Sequence, residues 1–321
     1  MHYIKSEIEL FYKRENVLCL KYGSRNTFNI YKDIELFLEV FYMFEIGVTQ
    51  SRWVTYLDKI DRDNIAIVEH FFRFFKDNDL LTSKKFYGDH DRQIRYFSVV
   101  NSKNKLVQEN DCQLKIYRSS ILVVGLGGIG TYLTLALASS GVRKIGIMDF
   151  DTVEDSNVSR GIIYNKKDIG KYKADVLSVY MNTNYPDIDT TSYLEEFKPS
   201  DIQKVNDYQF VVFCIDKNST LQNALTNSLI HTNIPFIYSN YGNEFGLVTR
   251  IQNEDNFTKR KNRSELLNKH ISPSTNWNSM IIAGIACKEI IGYLTDGMES
   301  IISNNDIFIN LNTLELNIDP N

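Results

Sequence analysis

The stretch Ser120–Asp151, SILVVGLGGIGTYLTLALASSGVRKIGIMDFD, decides the fold of this chain. It begins with a short apolar run, typical of a buried strand, and continues into the glycine-rich turn Gly125–Gly130. An apolar, alanine-rich helix pattern follows and stops at Gly141, and a second strand pattern leads to Asp149. A strand, a glycine turn, a helix and a second strand form half of a doubly wound nucleotide-binding sheet.

Each glycine of the turn has a physical role in such a sheet. Gly125 permits the sharp turn, Gly127 lets the backbone approach a phosphate, and Gly130 lets the helix pack closely on the strand. The phosphate would bind backbone N–H groups from Gly127 to Gly130, including that of Gly128, at the helix N-terminus. Asp149 is placed for the ribose hydroxyls. Because G-x-G-x-x-G also occurs as a plain tight turn, the motif alone does not choose a nucleotide.

Composition and length describe an ordinary globular protein with room for two domains. The chain has 321 residues, of which 43% are hydrophobic and 24% charged, and its formal net charge is -4. That balance gives no bulk attraction to nucleic acid or to an anionic membrane, and no apolar run is long enough to span one. The four cysteines form no C-x-x-C pair, so we expect no zinc, and free thiols in a cytoplasmic protein.

Residues 1–90 differ in texture from the rest and predict a small winged-helix-like domain of two strands followed by three helices. The third helix carries few basic residues, which disfavours DNA binding. A groove between that helix and a strand would instead accept an extended peptide by strand addition, and a purely structural or dimerising cap is the alternative. The predicted elements span 17–22, 27–31, 32–44, 49–57 and 62–77.

From residue 120 onward strand and helix patterns alternate, which predicts a mostly parallel sheet and a Rossmann-like α/β domain. The polar and basic segment 253–278 is a long loop, and such loops are often functional. Its basic run 259–263 is most simply a solvated surface, or else covers a bound nucleotide or steers an acidic peptide. Later strands are expected over 190–194, 210–214, 236–239, 247–251 and 307–318, and helices over 171–184, 201–206, 219–232 and 280–294.

Four further motifs follow the glycine turn in a fixed order. They are Asp149-Phe-Asp151, Ser156-Asn157-Val-Ser-Arg160, Gly170-Lys-Tyr-Lys173, and the Asp216 that closes a later apolar strand. With the glycine turn, this order resembles the ThiF/MoeB/HesA family, relatives of the ubiquitin-activating enzymes. The resemblance covers residues 91–321, with Val158 where the family usually has leucine.

The resemblance implies an adenylation domain over 91–321 that binds ATP and Mg²⁺. Its chemistry is attack of a C-terminal carboxylate on the α-phosphorus of ATP, which gives an acyl adenylate and pyrophosphate. Fixed cations at Arg160 and Lys173 would balance the phosphate charge, and Asp216 would hold Mg²⁺. Asn157 would hydrogen-bond a phosphate, while Asp151 would join Asp149 in binding the nucleotide. A pyrimidine nucleotide in place of ATP stays open.

A further arginine is implied upstream of the glycine strand. Members of the family commonly place an arginine from the partner subunit over the γ-phosphate, in an R-Q-I-type motif, and Arg92-Gln93-Ile94 occupies that place. The resemblance therefore implies a homodimer in which Arg92 is supplied in trans. Each active site would then need two subunits.

Sequence features that differ from other members of the family reduce the number of possible functions. Residues 240–280 contain no cysteine where thioester-forming members carry a nucleophile, and Cys287 lies in an apolar helix pattern. An adenylation domain of this kind with a small peptide-binding module resembles the enzymes that tailor ribosomal peptide antibiotics, of the microcin C nucleotidyltransferase type. The alternatives are a non-catalytic scaffold that presents a precursor to a cyclodehydratase, a sulfur-carrier adenylyltransferase and, on the glycine turn alone, a NAD-dependent oxidoreductase.

Overall fold

The computed structural model describes residues 1–5, 8–14, 16–22, 26–83, 90–100, 109–159, 162–215, 219–242, 244–252, 275–295 and 299–319. These residues form two compact units, Met1–Asn110 and Asp111–Asn321. The domain boundary at residue 90 stays a prediction, because the helix Asp91–Val100 belongs to the first compact unit.

The described residues of the first unit form a three-stranded antiparallel sheet, a two-stranded antiparallel pair and four helices. Its strands are β1 (Tyr3–Ile4), β2 (Ile8–Arg14), β3 (Val17–Tyr22), β4 (Asn26–Ile30) and β5 (Leu81–Thr82), and its helices are α1 (Ile34–Ile46), α2 (Gln50–Leu57), α3 (Arg62–Asp77) and α4 (Asp91–Val100). The sheet has the order β2-β3-β4, while β1 pairs with β5. Thr49 caps α2 by accepting a hydrogen bond from the Arg52 N–H at 3.2 Å.

The two strands predicted for this unit are confirmed as β3 and β4, and the three predicted helices as α1, α2 and α3. The sequence analysis missed β1, β2, β5 and α4. β2 pairs with β3 over its length, with a register shift between Tyr12 and Arg14. Phe11 and Tyr12 are 44% and 58% exposed. Because two adjacent exposed aromatic residues and a bulge interrupt the alternation of apolar and polar positions, the strand has no clear period-2 pattern.

An aromatic core holds the first unit together. Phe37 of α1 is fully buried, and its ring lies 5.1 Å from that of Phe71 and 5.4 Å from that of Phe75, centroid to centroid, both edge-on. Edge-to-face pairs at this separation stabilise a core beyond simple burial. The aromatic residues of α3 therefore face the interior mainly through Phe71 and Phe75, as their helical spacing predicts.

The second unit is built on an eight-stranded sheet of order β13-β12-β11-β10-β9-β6-β7-β8. The strands are β6 (Ser120–Val124), β7 (Lys144–Met148), β8 (Asp189–Tyr193), β9 (Phe210–Phe213), β10 (Phe236–Tyr241), β11 (Phe245–Val248), β12 (Asp306–Asn310) and β13 (Leu316–Asp319). β6 to β10 run parallel, and β11 to β13 extend the sheet antiparallel. The predicted Rossmann-like α/β fold is confirmed.

Helices cover both faces of this sheet. They are α5 (Glu109–Arg118), α6 (Gly128–Ser139), α7 (Asp155–Val158), α8 (Lys173–Asn184), α9 (Ile202–Val205), α10 (Ser219–Leu229) and α11 (Asn276–Thr295). None of the described helices has the length and apolarity needed to cross a membrane.

The strand order places a crevice between β6 and β9. β6 is the first strand of the parallel set, and the chain builds outward to β7 and β8 on one side before it crosses to β9 and β10 on the other. Ligands of doubly wound sheets bind at the carboxyl ends of the strands on either side of such a reversal. The turn Gly125–Gly130 follows β6 directly, so the fold positions it at this crevice.

Candidate active site

The glycine turn is as tightly built as the sequence predicts. Gly125 has a φ of 91°, and a Cβ built on it would lie 2.6 Å from the carbonyl oxygen of Cys214 at the end of β9. A Cβ on Gly130 would collide with the carbonyl oxygen of Gly125. A Cβ on Gly127, in contrast, would meet nothing within 4 Å. The turn is therefore closed on the side of the sheet and open at Gly127.

The open side of the turn presents backbone donors. Gly127 is the N-cap of α6, and the N–H groups of Gly127, Gly128 and Ile129 donate to no acceptor in the part of the chain that the structure describes. The first N–H groups of a helix lack intrahelical acceptors and, with the helix dipole behind them, attract anions. The three groups and the free space beside Gly127 fit a phosphate.

Asp149 fastens the turn to the second strand of the sheet. Its Oδ2 accepts a hydrogen bond from the Leu126 N–H at 2.6 Å, and its Oδ1 accepts one from the Asp151 N–H at 2.8 Å. The side chain is almost completely buried. Burial raises the pKa of this carboxyl, against the lowering effect of the Lys173 charge. Both carboxylate oxygens thus already accept backbone hydrogen bonds, and the ribose role of Asp149 stays a prediction.

Lys173 begins α8 and points its charge at the acidic loop after β7. Its Nζ lies 2.8 Å from Oδ2 of Asp151, and its backbone N–H donates to the Asp151 carbonyl at 2.9 Å. The lysine side chain is 9% exposed, while that of Asp151 is 49% exposed. Two predicted site residues thus form an ion pair whose carboxylate faces solvent.

Asn157 has a local structural role that the sequence analysis does not predict, and its phosphate role stays a prediction. Its Oδ1 accepts a hydrogen bond from the Glu154 N–H at 2.9 Å, which completes a capping box on the short helix α7. The side chain is buried. The α7 segment is therefore held by the residue that the family resemblance assigns to a phosphate.

Several predicted groups lie outside the described residues or outside this unit. Arg160, Asp216 and the basic run 259–263 are not among the described residues. Arg92 is described; it is exposed on α4 of the first unit and has no ion-pair or hydrogen-bond partner among the described residues. Their assignments stay predictions, and the described residues contain no cluster of three or more metal-ligating side chains.

Cys287 lacks the character of a nucleophile. It is buried on α11, where its Sγ lies 3.9 Å from Oγ of Ser140. Burial raises the pKa of the Cys287 thiol to about 11. A thiol with this pKa is almost entirely protonated at neutral pH, and the thiolate is the reactive form. The described geometry agrees with the expectation that this residue forms no thioester.

Sequence reasoning missed two side chains that act on the glycine turn. Tyr164 donates from its hydroxyl to the Leu126 carbonyl at 2.8 Å, and Thr131 donates to the Gly127 carbonyl at 2.8 Å. Neither belongs to a recognised motif. Their role depends on backbone atoms that only the folded chain brings to them, so the sequence carries no signal for it.

The first unit holds a separate groove of about 890 Å³. It lies between the edge strand β4 and helix α3, where the sequence analysis expects a peptide. Among the described residues, β4 pairs with β3 and with no other strand. Most of the groove's lining surface is apolar, and the apolar members include Phe28, Ile30, Phe37, Ile67, Phe71 and Phe74. The polar members are Thr27, Asn29, Tyr31, Lys32, Asp33 and His70.

The crevice and the glycine turn that follows β6 are the features of a doubly wound, Rossmann-like α/β protein. A family model described as "ThiF family" matches residues 90–318. The chain therefore belongs to the ThiF family, as its ordered motifs predict.

Curated relatives match part of the chain. Residues of this chain are 35% identical over 109 positions to "Adenylyltransferase and sulfurtransferase uba4" of Aspergillus clavatus, which is 34% of this chain and 22% of that protein. They are 33% identical over 125 positions to "NEDD8-activating enzyme E1 catalytic subunit" of Saccharomyces cerevisiae, covering 36% of this chain and 42% of the relative. The matches thus span less than half of each of these relatives.

Solved structures match nearly the whole chain. Escherichia coli MccB with ATP superposes with a TM-score of 0.78 at 17% identity, over 99% of this chain and 96% of that one. MccB in complex with N-formylated MccA gives 0.77 at 16% identity over the same shares. PaaA gives 0.78 at 18% identity, over 98% of this chain and 99% of the other. At these identities the likeness shows the fold, including both units.

Proposed function

We propose that this chain is an ATP-dependent adenylyltransferase that activates the C-terminal end of a ribosomally made precursor peptide. The observation that carries the proposal is the pairing of two features in one chain. In the part of the chain that the structure describes, the open side of the glycine turn presents N–H groups without an acceptor beside Gly127. The other unit offers a mainly apolar groove along β4, whose outer edge has no partner strand among those residues. The first suits a polyphosphate and the second an extended peptide.

The reaction follows from the chemistry of the two substrates. A carboxylate oxygen of the peptide forms a bond to the α-phosphorus of ATP, the bond from that phosphorus to the bridging oxygen breaks, and pyrophosphate leaves with that oxygen. Negative charge accumulates on the phosphate oxygens in the transition state. Transfer to a terminal asparagine amide, with a phosphorus–nitrogen bond in the product, is the finer proposal drawn from the microcin C type.

The residues of the second unit would divide this work. The N–H groups at Gly127 and Gly128 bind phosphate oxygens, and the charge of Lys173 balances them as it turns from Asp151 to the nucleotide. Arg160 would add a second cation and Asp216 would hold Mg²⁺, whose charge screens the phosphates. The roles of Arg160 and Asp216 come from the family pattern, and both assume that the nucleotide binds in the crevice beside the glycine turn.

The homodimer is a separate part of the proposal. Arg92 is exposed and without a partner among the described residues, as expected of a side chain that serves another subunit. The variants Arg92→Ala and Lys173→Ala should each be inactive alone. Because a mixed dimer would carry one intact site, mixing and refolding the two variants should restore activity if Arg92 acts in trans. Absence of restoration in a confirmed mixed dimer would show that Arg92 acts in cis or not at all.

A second candidate is activation of a sulfur-carrier protein. The similarity to the uba4 adenylyltransferases, 35% identity over 109 positions, favours it. The groove of the first unit favours the peptide instead. The two substrates differ in size and flexibility, so they are separable by direct binding measurements.

The first experiment is calorimetric titration of the full chain with Mg·ATP, beside CTP and NAD⁺, with Asp216→Ala as control. We expect saturable, Mg-dependent binding of ATP that the variant weakens. A short-peptide library whose members end in a free carboxylate or an asparagine then tests for peptide-dependent pyrophosphate release. If the chain binds no triphosphate, either with or without peptides, the proposal of an adenylating enzyme is wrong. The alternative of a non-catalytic scaffold would then be favoured. Pyrophosphate release only with a sulfur-carrier protein would favour the second candidate.

A further inference from the structure

Leu126, at the centre of the glycine turn, is held on both sides by side chains from other parts of the fold. Its N–H donates to Asp149 at the end of β7, and its carbonyl accepts from Tyr164, which follows α7. Tyr164 is 4% exposed. Burial raises the pKa of its hydroxyl, so that hydroxyl stays protonated and able to donate.

Thr131, in the first turn of α6, holds the next peptide group. Its Oγ1 lies 2.8 Å from the Gly127 carbonyl oxygen, 3.1 Å from the Leu126 carbonyl oxygen and 3.3 Å from the Tyr164 hydroxyl. Its backbone N–H also donates to the Gly127 carbonyl at 3.1 Å. Its side chain is fully buried. Tyr164 and Thr131 thus form one buried cluster of two hydroxyls that satisfies two consecutive carbonyls of the turn.

The direction of those carbonyls determines the direction of the N–H groups. In a trans peptide the C=O of one residue and the N–H of the next lie in one plane and point in opposite directions. The inward C=O of Leu126 therefore turns the N–H of Gly127 outward. In the same way the inward C=O of Gly127 turns the N–H of Gly128 outward, toward the open side of the turn.

We propose that Tyr164 and Thr131 are positioning residues, which aim the Gly127 and Gly128 N–H groups at the phosphates of the nucleotide by holding the two preceding carbonyls. The proposal rests on nucleotide binding at this turn. It assigns to two hydroxyls outside the family motifs a share of the phosphate affinity. Neither hydroxyl touches the nucleotide itself.

Matched variants separate this role from ordinary core packing. Thr131→Val removes the hydroxyl at nearly constant shape, and Thr131→Ser keeps it. Thr134→Val is the control, because Thr134 lies on the same helix, is equally buried, and donates to the Gly130 carbonyl at 2.7 Å, beyond the open part of the turn. Tyr164→Phe has a control in Tyr208→Phe, another buried tyrosine whose hydroxyl pairs with Tyr193 away from the turn.

The experiment is calorimetric titration of each variant with Mg·ATP and with adenosine, which lacks the phosphates. Loss of one hydrogen bond that orients the donor corresponds to about tenfold weaker binding. We expect this loss for Mg·ATP in Thr131→Val and Tyr164→Phe, unchanged adenosine binding, and wild-type behaviour in Thr131→Ser and both controls. Equal ATP affinity in all variants, or parallel loss of ATP and adenosine affinity, would overturn the proposal. Absence of ATP binding in the wild type would instead refute nucleotide binding at the turn, and this proposal with it.

Discussion

The two units of this chain present binding surfaces of opposite construction. In the second unit the surface is backbone: a glycine turn closed against Cys214, fastened by Asp149 and open at Gly127. In the first unit it is a broad groove of side chains beside β4, whose outer edge pairs with no strand among the described residues. A site made of backbone fixes a small charged group closely, whereas an apolar groove tolerates variation in what it binds. The contrast predicts that damage to one unit leaves the other functional.

The largest effect is expected from Phe37→Ala in the core of the first unit. Phe37 is fully buried among edge-on rings, and removing such a side chain costs about 3–5 kcal/mol of unfolding free energy. Differential scanning calorimetry should show a transition of the first unit at lower temperature, while Mg·ATP binding to the second unit persists. Loss of ATP binding in this variant would break the comparison, because it would mean that the nucleotide site depends on the first unit.

Lys173→Ala should have the next largest effect, confined to the second unit. Removing a cation that stabilises transition-state charge lowers the rate about 10²–10³-fold. Asp151, left without its partner, is 49% exposed and should remain solvated, so the fold should persist. The measurement is pyrophosphate release with peptide. Lys171→Ala is the matched control, since Lys171 pairs with Asp168 at 2.9 Å and is 57% exposed, and a similar rate loss there would contradict the assignment.

Two glycine substitutions test whether the turn is closed on one side and open on the other. Gly130→Ala should lower the free energy of unfolding by about 1–3 kcal/mol, because its Cβ collides with the Gly125 carbonyl. Gly127→Ala, with room for a Cβ, should change that free energy by less than about 0.5 kcal/mol. Thermal unfolding gives both values. We still expect Gly127→Ala to weaken Mg·ATP binding in calorimetry, because the methyl group would occupy the space that the phosphate approaches. Unchanged affinity would show that no phosphate lies close to Gly127.

The smallest effect is expected from Tyr31→Ala at the groove of the first unit. Tyr31 lines the groove and is 65% exposed, so its removal should leave the fold stable. Loss of one aromatic contact should weaken peptide binding about tenfold and leave Mg·ATP binding unchanged. Fluorescence anisotropy with a labelled peptide measures the first. Tyr42→Ala is the control, since Tyr42 is 52% exposed on α1 and lies outside the groove. An equal loss of peptide affinity in both variants would show that the peptide does not bind in the groove.

The sequence predicts most of the second unit because its signals are local. Apolar runs that are buried on both faces, such as 210–213, identify the parallel strands, and the glycine turn identifies the nucleotide crevice. Helix α3 is predicted to its end residues because its apolar positions repeat at helical spacing over four turns. Each of these signals lies within one element.

The missed features depend on contacts between elements. Strand β2 gains its partner from β3 and exposes two aromatic residues, so its own sequence gives no clear strand signal. Tyr164 acts on the carbonyl of a residue 38 positions away, and no spacing rule connects the two. The ion pair between Lys173 and Asp151 joins two residues that were each predicted for the site, but their pairing becomes visible only in three dimensions.

The free space beside Gly127 also affects what a mutational screen of such a glycine turn can detect. A library scored for expression or thermal resistance would retain alanine at this position, because a Cβ there meets nothing within 4 Å among the described residues. The same library would reject alanine at Gly125 and Gly130. Selection for folding therefore does not act on Gly127, and under the proposed phosphate contact glycine should persist there only under selection for catalysis. Comparing the two kinds of screen would reveal the binding position without any ligand in hand.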